Sequence, residues 1–146
     1  MKVADILRIK GDDVTTVPSW TSMAEAVQLL SGPPAIGALV VSDDGRGRLD
    51  GIVSERDVVR RLAADGPSLL ERTVGDVMVH LPESCTPEDT LAEVMATMTR
   101  SRHRHLPVVV GGRIRGLISI GDVVRQRLAE MTTETGVLRD IYLASR

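Results

Sequence analysis

The two halves of this chain have the same pattern of apolar residues. In each half, a first group recurs at the three- to four-residue intervals of a helix that buries one face. These residues are Met23, Val27 and Leu30 in the first half, and Leu91, Val94, Met95 and Met98 in the second. Two short aliphatic runs follow each group and predict strands. The predicted strands are residues 36–41 and 49–53, then residues 106–110 and 114–119.

Local signals predict where the helices begin. Thr86 is a candidate N-cap, Pro87 suits the first helical position, and Glu88 places an acid in the first turn. This stretch therefore predicts the start of the first helix in the second half. A second helix in each half is predicted to begin directly after Ser54 and Ser119.

The end of the chain departs from this order. The second helix of each half is predicted to run to about residues 64 and 130, and residues 132–136 (TTETG) then interrupt the apolar pattern. Apolar residues resume over residues 137–142. This spacing predicts a short, separate C-terminal helix with one apolar face, which has no counterpart in the first half.

One ten-residue pattern marks the junction of the last strand and the last helix in each half. Residues 51–60 read GIVSERDVVR, and residues 116–125 read GLISIGDVVR. The repeat extends further, because VADIL at residues 3–7 returns as VGDVM at residues 74–78. Two copies are too few for a solenoid, so we expect an α+β fold of two pseudo-twofold-related repeats. The predicted divisions are repeat 1 at residues 1–66, repeat 2 at residues 67–131 and a helical tail at residues 132–146.

Composition narrows the class of protein. The 146 residues carry a net charge of −2 and a pI near 5.9, so no overall basic field attracts nucleic acid. Aromatic residues make up 1% of the chain, which argues against stacking platforms for single strands. No segment is apolar for long enough to predict a signal peptide or a membrane span. The single cysteine fits a reducing compartment, and we expect a cytoplasmic protein.

The repeated serine and aspartate allow two interpretations. In the first, Ser54 and Ser119 are N-caps, and Asp57 and Asp122 reach back to the cap amide as a capping box. In the second, the helix start and the serine hydroxyl bind a phosphate, and the aspartate accepts hydrogen bonds from two ribose hydroxyls. The two roles are compatible, and local sequence alone leaves both open.

A basic run is found in the second half only. Arg102, His103, Arg104 and His105 precede the third predicted strand, and arginine suits phosphate oxygens. The corresponding residues 34–37 of the first half carry no charge. We therefore expect two unequal sites, with the phosphate-rich one at Asp122 and a less charged one at Asp57.

The order and duplication of these motifs closely resemble those of a tandem cystathionine-β-synthase (CBS) domain pair of the stand-alone type. The resemblance covers residues 3–130 and rests on both Ser-x-x-Asp stretches, on residues 74–78 and on RHLPV at residues 104–108. It implies two repeats packed through their sheets, with two clefts between them. It also implies adenosine ligands (AMP, ATP, NAD or S-adenosylmethionine) and a homodimer.

The resemblance assigns roles to particular residues. Asp57 and Asp122 would hold the ribose. Phosphate would contact Ser54, Arg56, Arg102, His103, Arg104, His105 and Ser119. The base would lie against Val3, Ala4, Ile52, Thr73, Val74 and Ile118.

These residues favour a non-catalytic regulatory sensor that reports its ligand to a partner protein, with no required cofactor. An alternative is a structural dimerisation module with vestigial clefts, motivated by the apolar tail. An enzyme has the least support, because no nucleophile or acid–base constellation occurs. Cys85 aligns with the core position Val17 and is expected to be an inert thiol, and His103 with His105 offers too few ligands for a metal.

Overall fold

The sheets of this protein form around the two predicted strand pairs. A computed structural model describes residues 1–145. A four-stranded sheet has the order β1-β2-β3-β4, in which β1 runs parallel to β2 and the other neighbours are antiparallel. An antiparallel pair, β5-β6, forms the second sheet. The strands are β1 Thr16–Val17, β2 Ala38–Val41, β3 Gly51–Ser54, β4 Val79–His80, β5 His105–Val110 and β6 Arg113–Ser119.

Six α-helices surround the sheets in the described residues. A 3-10 helix, Gly66–Glu71, links the two halves at the predicted boundary. Both predicted strand pairs and both strand-to-helix junctions occur within a residue or two of their expected positions. The helices are α1 Val3–Lys10, α2 Met23–Ser31, α3 Glu55–Asp65, α4 Val74–Val77, α5 Leu91–Ser101 and α6 Ile120–Ala144.

Helices α1 and α4, which open the two halves, each pack on the strands of the other half. Val3 and Ile6 of α1 lie in a core formed otherwise by second-half residues such as Leu106 and Ile118. Val74 and Val77 of α4 complete the first-half core instead. Each hydrophobic core therefore needs a helix from the other half.

Two glycines allow this exchange of helices. A Cβ added at Gly116 of β6 would lie 2.6 Å from a methyl group of Leu7 on α1. A Cβ added at Gly51 of β3 would lie 2.5 Å from the sulfur of Met78, which follows α4. Gly51 and Gly116 open the two repeated motifs, so the motif glycine is the point where the exchanged helix approaches its strand.

Strand register corrects the alignment of the halves by one residue. Ala38 pairs with Ser54, and His105 pairs with Ser119. Because the two serines are equivalent, Ala38 is the counterpart of His105. The sequence comparison had instead aligned His105 with Gly37.

Two predicted helix ends are wrong. Helix α5 begins at Leu91 with Thr90 as its N-cap, and the Thr90 side chain accepts a hydrogen bond from the Glu93 backbone. The candidate cap Thr86 lies in a preceding turn, in which its backbone N–H donates to Asp89. Thr90 and Glu93 form a full capping box, and the helix begins there. Thr86 and Asp89 also hydrogen-bond to each other, but no helix follows directly after them.

The predicted separate C-terminal helix is also wrong, because α6 runs without a break from Ile120 to Ala144. Thr132 and Thr133 hydrogen-bond to carbonyl groups one turn earlier, and Gly136 is accommodated inside the helix. The polar residues 132–136 therefore continue α6 as an exposed turn and do not end it.

Within residues 1–145, no helix is both long and apolar enough to cross a membrane.

Candidate functional site

The two repeated serines cap their helices in the same way. The Ser54 hydroxyl accepts from the Asp57 backbone N–H at 3.3 Å, and Asp57 Oδ2 accepts from the Ser54 backbone N–H at 2.9 Å. Ser119 and Asp122 repeat this box at 3.2 and 2.9 Å. Each aspartate uses one carboxylate oxygen for the box, so its other oxygen is left for a different partner.

A cleft opens at the start of α3 and encloses about 610 Å³, counting its open mouth. Side chains from both halves form its walls. The lining residues are Gly37, Ile52, Ser54, Glu55, Arg56, Asp57, Arg60, Val79, Arg102, His103, Arg104 and His105.

Four arginines give the cleft its charge. Arg56 and Arg60 come from α3, and Arg102 and Arg104 come from the segment before β5. Among residues 1–145, none of their guanidinium groups forms an ion pair or a hydrogen bond. Only two carboxylates, Glu55 and Asp57, line the same cleft. Its donors therefore face open space with an excess of positive charge.

The placement of the basic run corrects the expectation of a phosphate-rich site at Asp122. Arg102, His103, Arg104 and His105 line the cleft that contains Ser54 and Asp57. The start of β5 faces the start of the helix in the other half, so the run contributes its side chains across the pseudo-twofold axis. The backbone of Arg104 does remain beside the second motif, where its carbonyl accepts from the Ile120 N–H at 2.8 Å.

His105 lies at the meeting point of the halves. Burial lowers the pKa of its imidazole below the usual value, and the charge of Lys10 lowers it further. Asp122 and Glu55 act in the opposite direction on this pKa. A histidine whose pKa is lowered is neutral at neutral pH, so one ring nitrogen is an acceptor and the other a donor.

Asp122 differs from Asp57 in its partners. It is 8% exposed, and its Oδ2 accepts from Lys10 Nζ at 2.7 Å. Arg125 lies 3.3 Å from its Oδ1. Burial alone would raise the pKa of the Asp122 carboxyl, but the hydrogen bonds from Lys10 and the Ser119 backbone lower it below the usual range.

Sequence reasoning missed Lys10, Arg60 and Val79. Arg60 belongs to the repeated motif and lies three residues after Asp57, but within residues 1–145 it forms no ion pair with that aspartate, unlike its counterpart Arg125 with Asp122. Lys10 carried one signal, since the chain has only two lysines, at positions 2 and 10.

The six predicted base-lining residues are divided among different environments. Ile52 lines the cleft. Val3, Val74 and Ile118 are fully buried in the two cores. Ala4 belongs to α1, and Thr73 caps α4.

Cys85 is buried against β5, and its thiol lies 3.7 Å from the Pro107 carbonyl oxygen. Burial raises the pKa of this thiol to about 12. A thiol with so high a pKa holds its proton at neutral pH and is a poor nucleophile.

Two repeats that exchange helices, each with a capped helix that starts at a strand end, form a tandem α+β repeat fold. The chain belongs to the CBS domain family, whose family model matches residues 3–64 and 74–129. It is 33% identical over 139 residues to the Arabidopsis thaliana CBS domain-containing protein CBSX3, mitochondrial, covering 90% of this chain and 67% of that protein. Other plant relatives are longer, and the chain spans 23% of CBSCBSPB1 from the same organism at 27% identity.

Solved structures of the same type show the same fold. The CBS-domain containing protein ATU1752 from Agrobacterium tumefaciens is 41% identical, with a TM-score of 0.81 over 86% of this chain and 92% of that one. A putative signal-transduction protein with CBS domains from Burkholderia ambifaria is 37% identical, with a TM-score of 0.81 over 88% and 95%. CBSX2 in complex with AMP is 26% identical, with a TM-score of 0.69 over 89% and 98%.

Proposed function

We propose that this protein is a non-catalytic regulatory module that binds an adenosine nucleotide in the cleft at Asp57 and signals its occupancy to a partner protein. The observation that carries the proposal is the cluster of four arginines without ion-pair partners around the Ser54–Asp57 helix start. CBSX2, which has the same fold, is in complex with AMP. CBS domain pairs act as regulatory modules, and the geometry of this cleft fits that role.

Each part of the nucleotide has a matching group. Asp57 retains a carboxylate oxygen outside its capping box, which suits the two ribose hydroxyls as acceptor. The phosphates would take hydrogen bonds from Arg102 and Arg104, and the Ser54 hydroxyl and the start of α3 would add to them. The base would lie against the apolar wall formed by Ile52 and Val79.

Charge favours AMP, ADP or ATP over S-adenosylmethionine in this cleft. Four guanidinium groups against two carboxylates attract a phosphate chain and repel a sulfonium cation. NAD carries its two phosphates between two nucleosides, so it presents less charge at the end of the ligand. We therefore expect the order of affinity to follow the number of terminal phosphate charges.

Binding has a direct route to the rest of the molecule. The cleft is formed by α3 of the first half and by the segment before β5 of the second half, so a bound nucleotide would link the two halves. A ligand that contacts both halves stabilises the arrangement in which they are closest, and this shifts the population of conformations that a partner protein meets.

The cytoplasmic location stays a prediction from the single cysteine.

Calorimetric titration of the whole chain with AMP, ATP, NAD and S-adenosylmethionine tests the proposal. The variant Asp57→Asn should lose at least tenfold in affinity for the tightest ligand, because the amide replaces an acceptor oxygen with a donor. Asp76→Asn is the matched control, since Asp76 also caps a helix start but does not line the cleft. Equal loss in both variants, or no binding of any of the four ligands, would contradict the proposal.

A second role, homodimerisation, is favoured by the exposed apolar residues of the long helices. Val59 on α3 and Val124 on α6 occupy equivalent positions of the two motifs, and both are exposed. The helices α3 and α6 carry further exposed apolar side chains, and those of α6 are spread around the helix. A surface repeated by the pseudo-twofold is suited to a second copy of the chain, and the related CBS-CP12 protein is hexameric. The additional residues are Leu62, Leu128, Met131, Val137, Leu138, Ile141 and Leu143.

Mass in solution tests this second role. We expect a dimer for the whole chain, and a monomer for Val124→Arg, because the new charge would be buried at an exposed apolar position of the proposed dimer surface. Arg139→Glu changes the charge of α6 without removing an apolar side chain and serves as the control. A monomer that keeps its nucleotide affinity would separate dimerisation from sensing, and a wild-type monomer would contradict the role.

A further inference from the structure

Lys10 bridges the last turn of α1 to the second copy of the repeated motif. Its ammonium group donates to Asp122 Oδ2 at 2.7 Å and to the Leu117 carbonyl oxygen at 2.8 Å. The side chain of Lys10 is 34% exposed and that of Asp122 11% exposed. The carboxylate of this ion pair is therefore largely shielded from solvent, while the lysine side chain is partly exposed to it.

The first copy of the motif has no such cation. Asp57 forms no ion pair with any residue among positions 1–145. The residue equivalent to Lys10 is Leu81, which is exposed and lies outside α4. Helix α1 has 8 residues, whereas α4 has only 4. Because α1 is one turn longer, its last residue, Lys10, reaches Asp122.

We propose that Lys10 is a built-in occupant of the second ribose position, which keeps the Asp122 site in a low-affinity state. This inference rests on the proposed function, since it assumes that Asp57 and Asp122 hold equivalent positions of equivalent sites. Ribose hydroxyls need the carboxylate as an acceptor. Lys10 shares Asp122 Oδ2 with the capping box, and Arg125 lies 3.3 Å from Oδ1. A ribose hydroxyl at Asp122 must therefore compete with two cations for the carboxylate, and Lys10 is the less exposed of the two.

The surroundings of Lys10 allow such a displacement without unfolding. Lys10 is the last residue of α1, and Gly11 follows with a φ of 90°, which ends the helix. The ammonium can therefore rotate into solvent, or toward a phosphate, while α1 keeps its core contacts through Val3 and Ile6. Replacing one charged hydrogen bond corresponds to roughly a tenfold to hundredfold change in affinity.

The Asp122 site is isolated by working in an Asp57→Asn background of the whole chain, with AMP and ATP as probes in equilibrium dialysis. We expect Asp57→Asn to bind weakly, and Asp57→Asn/Lys10→Met to bind at least tenfold more tightly, with one nucleotide per chain. Lys2→Met is the matched control, since Lys2 is the other lysine and pairs with the exposed Glu88. Adding Asp122→Asn to the double variant should abolish the gain.

The outcomes separate this inference from the proposed function. If the wild type binds one nucleotide and Lys10→Met adds no second site, the role of Lys10 is wrong and the Asp57 site survives. If the wild type binds none but the double variant binds one, the Asp57 site is wrong and the role of Lys10 survives. Lys10→Arg keeps the charge and should keep the block, so relief by arginine would overturn the inference even if Lys10→Met folds poorly.

Discussion

Gly37 of the first half and His105 of the second half meet so closely that a Cβ added to Gly37 would lie 2.5 Å from the Nε2 of His105. The glycine comes from the loop before β2 and the histidine from the start of β5. Both residues line the cleft at Asp57. The absence of a side chain at residue 37 therefore determines how closely the halves approach and where the imidazole lies.

Gly37→Ala should destabilise the fold and weaken nucleotide binding together. The added methyl must displace the imidazole, and overpacking of this kind costs about 1–3 kcal/mol. Urea unfolding measures the loss, and calorimetry measures the affinity. Gly121→Ala is the control, because a Cβ there meets only Ser119 Oγ at an ordinary 3.6 Å. A stable Gly37→Ala variant with unchanged affinity would show that the imidazole moves without consequence.

Arg102→Gln and Arg104→Gln should each weaken ATP binding about tenfold, because each removes a charged hydrogen bond to phosphate. Adenosine, which has no phosphate, should lose little. The affinity of the wild type for ATP should also fall with added salt, and each variant should reduce that dependence. Arg139→Gln, on α6 and outside the cleft, is the matched control. Equal losses for ATP and adenosine would place these arginines in a structural role.

Stability without nucleotide should fall as the pH drops below about 6.5. The pKa of His105 is lowered from its ordinary value of 6.5, so the unfolded chain binds more protons between the folded-state pKa and 6.5. The free energy of unfolding is therefore largest above this window and decreases as the pH falls through it.

Urea unfolding at several pH values between 5 and 7.5 measures the slope. His105→Gln should remove most of it, while His80→Gln, in the exposed β4 residue, should leave it unchanged. Asp5 and Asp122 have lowered pKa values, so they lose their contribution only at more acidic pH. A slope that persists in His105→Gln would contradict the assignment.

Gly136→Ala should stabilise the protein by about 0.5–1 kcal/mol, since alanine is the better residue inside a helix. A Cβ at residue 136 meets nothing within 4 Å. Thermal unfolding followed by circular dichroism measures the gain. Gly45→Ala is the contrasting variant. Gly45 has a φ of +66° in a loop, so an alanine there should destabilise the protein. A destabilised Gly136→Ala would indicate a break in α6.

The sequence predicted the strands and the two motif junctions well, because each depends on local patterns of apolar residues and caps. It misplaced the start of α5, because Thr86 and Thr90 both precede an acid by three residues and only tertiary contacts decide between them. Residues 132–136 were equally ambiguous, since a polar stretch is compatible with an exposed helix.

The site depended on non-local packing, and there the sequence was less informative. The basic run at residues 102–105 was assigned to Asp122, the aspartate of its own repeat, but it lies in the cleft of Asp57. Local sequence does not show whether a segment of one repeat lines the cleft of its own repeat or that of the other repeat. Lys10 was missed for the same reason, because 112 positions separate it from Asp122.

The exchange of α1 and α4 means that the unit of cooperative folding is offset from the unit of sequence repetition. A fragment cut at the sequence boundary would lack Val74 and Val77, which complete the first core. A fragment of residues 12–80 would keep that core with its own helix, and α1 could be supplied to the second half as a separate peptide. Neither sequence repeat therefore contains a complete core, whereas each of the two units offset from the repeats does.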